Sequence, residues 1–182
     1  MAADFPSLVS LACHDLRTPL ATVQGFAKTL LRLEQLDDEK AARYLGLIDA
    51  AADELVDLLD LLSLAARIEG GRYDPVVREA DSLELAPAGA TGTGAAVTVE
   101  PDAVRTALRS LVRAAARHGG AEISVSVDGP RISIEPVSAE AAPVVLADEQ
   151  KDLGAAVAMR LLGALGGEVT LAGERLTVTL PG

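Results

Sequence analysis

The chain has 182 residues, of which 49% are hydrophobic, and this is enough to bury the core of one ordinary domain or of two small ones. Its formal net charge of −11 excludes nucleic acids and anionic membrane surfaces as favoured partners, because binding to them needs clustered lysines and arginines. The single cysteine, Cys13, excludes an internal disulfide and a zinc cluster. With neither a signal-peptide pattern nor a membrane-spanning apolar run in the sequence, we expect a cytoplasmic protein.

The first part of the sequence carries apolar residues at helical spacing. One amphipathic helix is predicted over about Phe5 to Leu36, and a second follows the capping pair Asp37-Asp38 and ends at Gly70-Gly71. Two such helices cannot cover both of their wide apolar stripes by packing on each other alone. The pattern therefore predicts a helical hairpin that pairs with a second copy into a homodimeric four-helix bundle, packed most tightly over Leu55 to Leu64.

After Gly71 the pattern changes to short β-type runs separated by turn residues, with two helical segments among them. The predicted strands lie near Val76–Arg78, Ala96–Glu100, Glu122–Asp128, Arg131–Pro136, Glu168–Ala172 and Arg175–Leu180, and the predicted helices over about Asp102–His118 and Lys151–Leu165. The segment Ala86 to Ala95 is rich in glycine and alanine and indicates only a loop. The predicted fold class is α+β: a helical hairpin over residues 1–71, and helices on one face of a mostly antiparallel sheet over 72–182.

The heptapeptide HDLRTPL, His14 to Leu20, combines residues that suit nucleophilic chemistry. His14 falls opposite the apolar stripe of the first helix, so its imidazole is expected in solvent, with Thr18 one turn later on the same face. Asp15 can reach the ring and hold one tautomer. Pro19 cannot donate a helical hydrogen bond, so we expect a bend at the turn of the histidine. An exposed imidazole beside a carboxylate can act as a nucleophile near neutral pH, although a surface histidine without any role is the plain alternative.

HDLRTPL resembles the H box of sensor histidine kinases, and the later segment YLGLIDAAADELVDLLDLLSLAARIEGG is similar to the dimerisation hairpin of that family. The resemblance implies that His14 carries a phosphoryl group. It also implies that Asp15 orients and activates the histidine, and that Thr18 helps to position a water for dephosphorylation of the response regulator.

The rest of the chain resembles the Bergerat-type ATPase domain of the same kinases in degenerate form. DAVRTALRSLVRAAARHGG aligns with the N box, but Ser110 and Ala114 stand where the family has asparagines, and the chain has no asparagine. Pro136 stands where an aspartate would recognise adenine, and DLGAAVAMRLLGALGG keeps Gly154 but has Asp152 in place of a phosphate-binding glycine. Ala114 offers no magnesium ligand and Asp152 would repel phosphates, so the resemblance implies that the chain binds neither nucleotide nor metal.

A phosphoacceptor helix without a working ATP site resembles the histidine phosphotransferases of bacterial phosphorelays. The predicted function is to carry a phosphoryl group from one response-regulator receiver aspartate to another through His14, with the receiver supplying Mg²⁺. Three alternatives remain open: a receiver phosphatase that uses Asp15 and Thr18, a divergent ATP-dependent kinase, and a non-catalytic bundle that only holds a partner.

The face of the first helix below His14 is the predicted receiver contact. Small residues there would let a partner helix approach, and basic residues would suit an acidic receiver pocket, although an ordinary solvated helix face is the alternative. The predicted partner-binding residues are Arg17, Ala21, Gly25, Lys28 and Arg32.

Overall fold

The computed structural model describes residues 5–32 and 37–182. The N-terminal region forms three helices: α1 (Phe5–Asp15), α2 (Arg17–Arg32) and α3 (Asp38–Glu69). The single first helix predicted from the sequence is therefore two helices that meet at Leu16, and its predicted last residues, 33–36, lie outside the described residues. Pro19 accounts for the break, because it has no N–H to donate to the carbonyl of Asp15.

Helix α3 begins and ends at the predicted residues. The Asp37 carboxylate accepts a 2.7 Å hydrogen bond from the Lys40 N–H, which caps the start of the helix, and this bond lowers the pKa of Asp37. Gly70 is the C-cap, and the positive φ of Gly71 (62°) turns the chain away. Helices α2 and α3 pack together as a hairpin in which the rings of Phe26 and Tyr44 lie 5.2 Å apart.

The remainder of the chain forms strands with helices between them. The strands are β1 (Arg78–Asp81), β2 (Thr91–Gly94), β3 (Ala96–Val99), β4 (Ser124–Gly129), β5 (Arg131–Glu135), β6 (Glu168–Ala172) and β7 (Arg175–Thr179). The helices are α4 (Ser82–Leu85), α5 (Pro101–Gly119), α6 (Ala142–Val145) and α7 (Leu153–Ala164). Five strands form a sheet in the order β2-β4-β5-β7-β6, in which all pairs are antiparallel except β2 with β4, and β1 pairs with β3 separately.

The fold class is α+β, as predicted, but three details differ from the sequence prediction. Strand β2 lies in the segment predicted only as a loop. It has no apolar alternation, and it pairs with β4 because Gly92, at φ 121°, lets the backbones approach: a Cβ there would lie 2.0 Å from the Val127 carbonyl oxygen. The first strand begins at Arg78 rather than near Val76, whose side chain is 76% exposed. Helices α4 and α6 were not predicted, because four residues are too few to show helical periodicity in the sequence.

Helix α7 connects the two parts of the molecule. One face packs with α5 over the sheet core, and the other face packs on α1 and α3. The second contact buries Leu8, Leu11, Ala12, Leu61, Ala65, Leu153, Ala156 and Val157. Full burial of a leucine stabilises by about 1.5–3 kcal/mol, so Leu8 and Leu153, both with no exposed surface, fix the start of α7 against the turn that carries the histidine.

The hairpin leaves other large apolar side chains uncovered in the single chain. Leu20, predicted on the apolar stripe, is 45% exposed, and Leu59, in the segment predicted as the dimer seam, is 52% exposed. Leu61 in the same segment is instead buried against the second part of the same chain. Only the other face of this segment is therefore available for contact with a second copy. In the described ranges 5–32 and 37–182, none of the helices is long and apolar enough to cross a membrane.

Candidate active site

His14 lies in the last turn of α1 with 78% of its side chain exposed. Its Nδ1 lies 3.1 Å from Oδ1 of Asp15. An ionised carboxylate can only accept a hydrogen bond, so a neutral ring beside it donates from Nδ1 and keeps the lone pair on Nε2. The imidazole is thus exposed beside its carboxylate, with Nε2 as the ring nitrogen that Asp15 does not contact.

Asp15 is held at both oxygens. While Oδ1 faces the imidazole, Oδ2 accepts a 3.1 Å hydrogen bond from the backbone N–H of Leu153, the first residue of α7, and only 15% of the aspartate side chain is exposed. The sequence offers no signal for this contact, because the donor is a backbone group 138 residues away.

The histidine borders a cleft of about 410 Å³ between the hairpin and the second part of the chain. One wall consists of residues from α1, α2 and α3, and the other consists of residues from α5 and the start of α7. The lining residues are His14, Asp15, Thr18, Glu54, Leu58, Leu61, Ser110, Arg113, Arg117, Lys151, Asp152 and Gly154. The structure thus brings the three predicted catalytic residues together with three of the positions predicted to form the degenerate nucleotide site.

Three cations of the cleft were not predicted from the sequence. Arg117 lies 3.5 Å from Asp152 and 3.7 Å from Glu54, and Lys151 pairs with Glu149 at 2.6 Å. Arg113 has no carboxylate within 4.0 Å in the described part of the chain. A sequence signal for these arginines exists, because Arg105, Arg109, Arg113 and Arg117 repeat every four residues and so share one face of α5.

Asp152 lies at the start of α7, the position that the sequence analysis assigned to a phosphate-binding glycine. The residue is 5% exposed; its Oδ1 accepts a 3.0 Å hydrogen bond from the Ala155 N–H, which caps α7. Its Oδ2 lies 3.5 Å from Nη1 of Arg117 and 3.3 Å from Nε2 of His118. The start of α7 therefore already holds a carboxylate, that of Asp152, together with the side chains of Arg117 and His118.

The other positions that the sequence analysis assigned to a degenerate nucleotide site differ in their surroundings. Ala114 is fully buried in the core. A Cβ at Gly154 would lie 3.3 Å from the Ser110 Cβ, so α7 approaches α5 closely. Pro136 follows β5 after a cis peptide bond and is half-buried. The described residues contain no group of three or more histidine, cysteine, aspartate or glutamate side chains arranged to hold a metal ion.

The predicted partner-binding residues lie apart from the cleft, on one exposed strip of α2. All five are exposed, and the position of a Cβ on Gly25 has no neighbouring atom within 4 Å. The strip is formed by Arg17, Ala21, Gly25, Lys28 and Arg32. Their role in partner binding stays a prediction.

Comparisons with known proteins agree with this geometry. Residues 7–71, just over a third of the chain, match the family model described as His Kinase A (phospho-acceptor) domain. A search of curated proteins found no match. Among solved structures, the chain is similar to Acinetobacter baumannii histidine kinase AdeS, with a TM-score of 0.61 and 17% identity over 92% of this chain and 97% of that chain. At this identity the likeness shows the fold.

The hairpin match supports a phosphoacceptor role for the first part of the chain, and the solved structure supports the fold. The protein has a histidine-kinase-like core, in which a phospho-acceptor hairpin precedes an α/β region that resembles the ATPase domain of those kinases.

Proposed function

We propose that this protein is a histidine phosphotransferase, which carries a phosphoryl group between response-regulator receiver aspartates through His14 and does not use ATP. The observation that carries the proposal is the arrangement of the cleft. One wall presents an exposed imidazole, and the opposite wall has the Asp152 carboxylate as the cap of α7 at a position that the sequence analysis assigned to a phosphate-binding glycine.

The transfer starts from a phosphorylated receiver aspartate. The Nε2 lone pair of His14 attacks phosphorus, the P–N bond forms, and the P–O bond to the aspartate breaks, which releases the receiver's carboxylate. The imidazole keeps its Nδ1 proton, and Asp15 stabilises the positive charge that develops on the ring. In the second transfer a receiver carboxylate attacks phosphorus, and His14 leaves with the Nε2 lone pair.

The cations of the cleft suit the charge of the transferred group. Phosphoryl transfer through a loose transition state depends on positioning and on positive charge around the phosphoryl oxygens. Arg113 is the cleft cation without a carboxylate partner in the described ranges, whereas Lys151 is paired with Glu149, and Arg117 with Asp152 and Glu54. Mg²⁺ is expected to come from the receiver, since no metal ligands of this chain enter the scheme.

Three features of the second part of the chain argue against nucleotide binding. Ala114 offers only a buried methyl group at the position assigned to a magnesium ligand, Asp152 places a carboxylate at the start of α7, and the Pro136 side chain offers no acceptor for the adenine amino group. We therefore propose that this domain has a structural role beside the phosphoacceptor.

Receiver docking and dimerisation belong to the same proposal. The exposed strip of α2, with Lys28 and Arg32, offers positive charge and small residues to an acidic receiver surface. The uncovered apolar side chains of the hairpin, among them Val56 and Leu59, suit a second copy that completes a four-helix bundle. Location in the bacterial cytoplasm stays a prediction from the sequence.

The proposal is tested with purified receivers from the same organism. A phosphorylated receiver is mixed with this protein, and a second, unphosphorylated receiver is added later. We expect acid-labile phosphate on this chain first and on the second receiver afterwards, with no label when ATP is the only donor. Labelling from ATP alone would instead establish a kinase.

A receiver phosphatase is the second candidate, because Thr18 is exposed in the same cleft as His14 and Asp15. If Thr18 positions a water, Thr18→Ala should slow phosphate release from the receiver and leave transfer to His14 unchanged, since transfer uses no water. A phosphatase is the better description if Asp15→Ala and Thr18→Ala both impair hydrolysis while neither affects transfer.

A further inference from the structure

We propose that the start of α7 positions Asp15 against His14, so that the degenerate ATPase-like region is a structural part of the phosphoacceptor site. The inference deepens the proposed function and rests on it, since it concerns the residue that orients the imidazole. It assigns to the Leu153 backbone N–H a role that none of the sequence motifs indicates.

The argument begins with the freedom of an aspartate at the end of a helix. A side chain that contacts only the neighbouring ring can rotate away through its staggered rotamers. Asp15 is tied at both oxygens: Oδ1 lies 3.1 Å from His14 Nδ1, and Oδ2 accepts from Leu153 N at 3.1 Å. The two contacts point to different elements, so the plane of the carboxylate is set by the second part of the chain.

The start of α7 is suited to hold a carboxylate. The first N–H groups of a helix have no partner within the helix, and the positive end of the helix dipole favours a negative charge there. Asp152 satisfies the N–H of Ala155, and Asp15 satisfies that of Leu153. Two carboxylates of the protein therefore take a helix end of the kind that binds phosphate elsewhere.

Buried contacts keep α7 within hydrogen-bond distance of Asp15. The Leu153 side chain has no exposed surface and packs in the cluster that contains Leu8 and Leu11 of α1. At the other end of the interface, Arg160 Nε lies 3.0 Å from Glu69 Oε1 on α3. These contacts make the hydrogen bond a property of the domain interface.

The consequence concerns the tautomer of His14. A carboxylate fixed at Nδ1 favours the Nδ1–H form, which leaves Nε2 unprotonated for attack on phosphorus. When the Leu153 N–H is lost, Asp15 gains freedom to leave the ring. The Nε2–H form then becomes populated, and this form is not nucleophilic at Nε2.

Leu153→Pro in the full-length protein tests this directly, because proline removes the N–H and is well tolerated at the first position of a helix. Asp152 before it is already extended (φ −145°, ψ 113°), as a residue before proline must be. Leu153→Ala is the matched control: it removes the same buried side chain and keeps the N–H.

We expect ring-nitrogen NMR of His14 to show mainly the Nδ1–H form in the wild type and in Leu153→Ala, and a mixture in Leu153→Pro. Transfer from a phosphorylated receiver should be roughly ten-fold slower in Leu153→Pro than in Leu153→Ala, as expected for loss of one charge-assisted hydrogen bond. Equal tautomer populations and equal rates in the two variants would overturn the inference.

A second measurement needs no change at residue 153, which matters if the proline variant does not fold. In Asp15→Ala, the Leu153 amide should exchange faster with solvent, while the Ala155 amide, held by Asp152, should keep its wild-type rate. Unchanged exchange at Leu153 also overturns the inference. The two hypotheses can fail separately. If the variants show the expected tautomer and exchange effects but the wild-type protein takes no phosphoryl group, the proposed function is refuted and the positioning role remains.

Discussion

His14 in the hairpin is 78% exposed, whereas Asp152 and Ala114 in the second part of the chain are 5% and 0% exposed. The hairpin keeps its reactive group in solvent, where a partner protein can reach it. In the second part, Asp152 caps α7 and Ala114 packs in the core, at positions that the sequence analysis assigned to a degenerate nucleotide site. The two parts therefore differ in exposure: the histidine is open to a partner, whereas these two residues stabilise the fold.

Replacement of the exposed histidine of the hairpin should have the largest effect. His14→Ala should abolish labelling by a phosphorylated receiver and change stability by about 0.5 kcal/mol or less, because an exposed side chain contributes little to folding. Receiver-transfer assays and thermal unfolding measure the two effects. His118→Gln is the control and should keep its label, and wild-type labelling of His14→Ala would require another nucleophile.

The uncovered apolar face of the hairpin predicts a large change in assembly. Asp at both Val56 and Leu59 should convert a dimer into a folded monomer, because unpaired charges are costly to bury and both side chains are more than half exposed in the single chain. Light scattering at low micromolar concentration reports the mass. Val76→Asp, at a more exposed site outside the hairpin, should leave the dimer intact. If the double variant remains dimeric, the seam lies elsewhere.

Loss of the carboxylate beside the ring should have the next largest effect. Asp15→Ala should slow transfer to and from His14 by about 10²-fold, the usual contribution of an orienting group, because the tautomer is no longer fixed. Transfer time courses with one receiver in excess measure the rate. Asp53→Ala, on the exposed face of α3, is the matched control. A rate within two-fold of wild type, by that same scale, removes Asp15 from the mechanism.

The cationic wall of the cleft should contribute a smaller factor. Arg113→Gln should reduce labelling of His14 by roughly ten-fold, for the loss of one charged contact to the phosphoryl group. A small phosphodonor such as phosphoramidate separates this effect from receiver docking. Arg105→Gln, on the same face of α5 but paired with Asp102 at 3.0 Å, is expected to behave as wild type. Equal rates in both variants would exclude Arg113 from the reaction.

Nucleotide should have the smallest effect of all. ATP and ADP should bind no more tightly than about 1 mM with or without Mg²⁺, because a helix start that already holds carboxylates has no place for phosphate. Calorimetry measures the affinity. Asp152→Gly sharpens the contrast: binding should stay weak because Ala114 and the Gly154 contact with Ser110 remain. Micromolar binding by the wild type would restore the kinase interpretation.

Much of the fold follows from periodic patterns in the sequence. Helix α3 lies between the predicted cap and the predicted glycines, and β4 to β7 lie near their predicted positions, because regular apolar spacing and turn residues are local signals. Strand β2 had no such signal, since a run of threonine and glycine becomes a strand only when β4 lies beside it. The break at Leu16 sits two residues from the predicted bend, which shows the local effect of Pro19.

For the candidate site, the sequence predicted an exposed imidazole with a carboxylate beside it and a hydroxyl one turn later, because these residues are close along the chain. The lack of side chains for nucleotide binding stays a prediction from the resemblance. The sequence did not predict that Arg113, Arg117 and Lys151 line the same cleft as the histidine, or that the Leu153 N–H donates to Asp15. The physical reason is separation along the chain: helical spacing relates residues one turn apart, whereas these contacts exist because buried leucines bring α7 against α1.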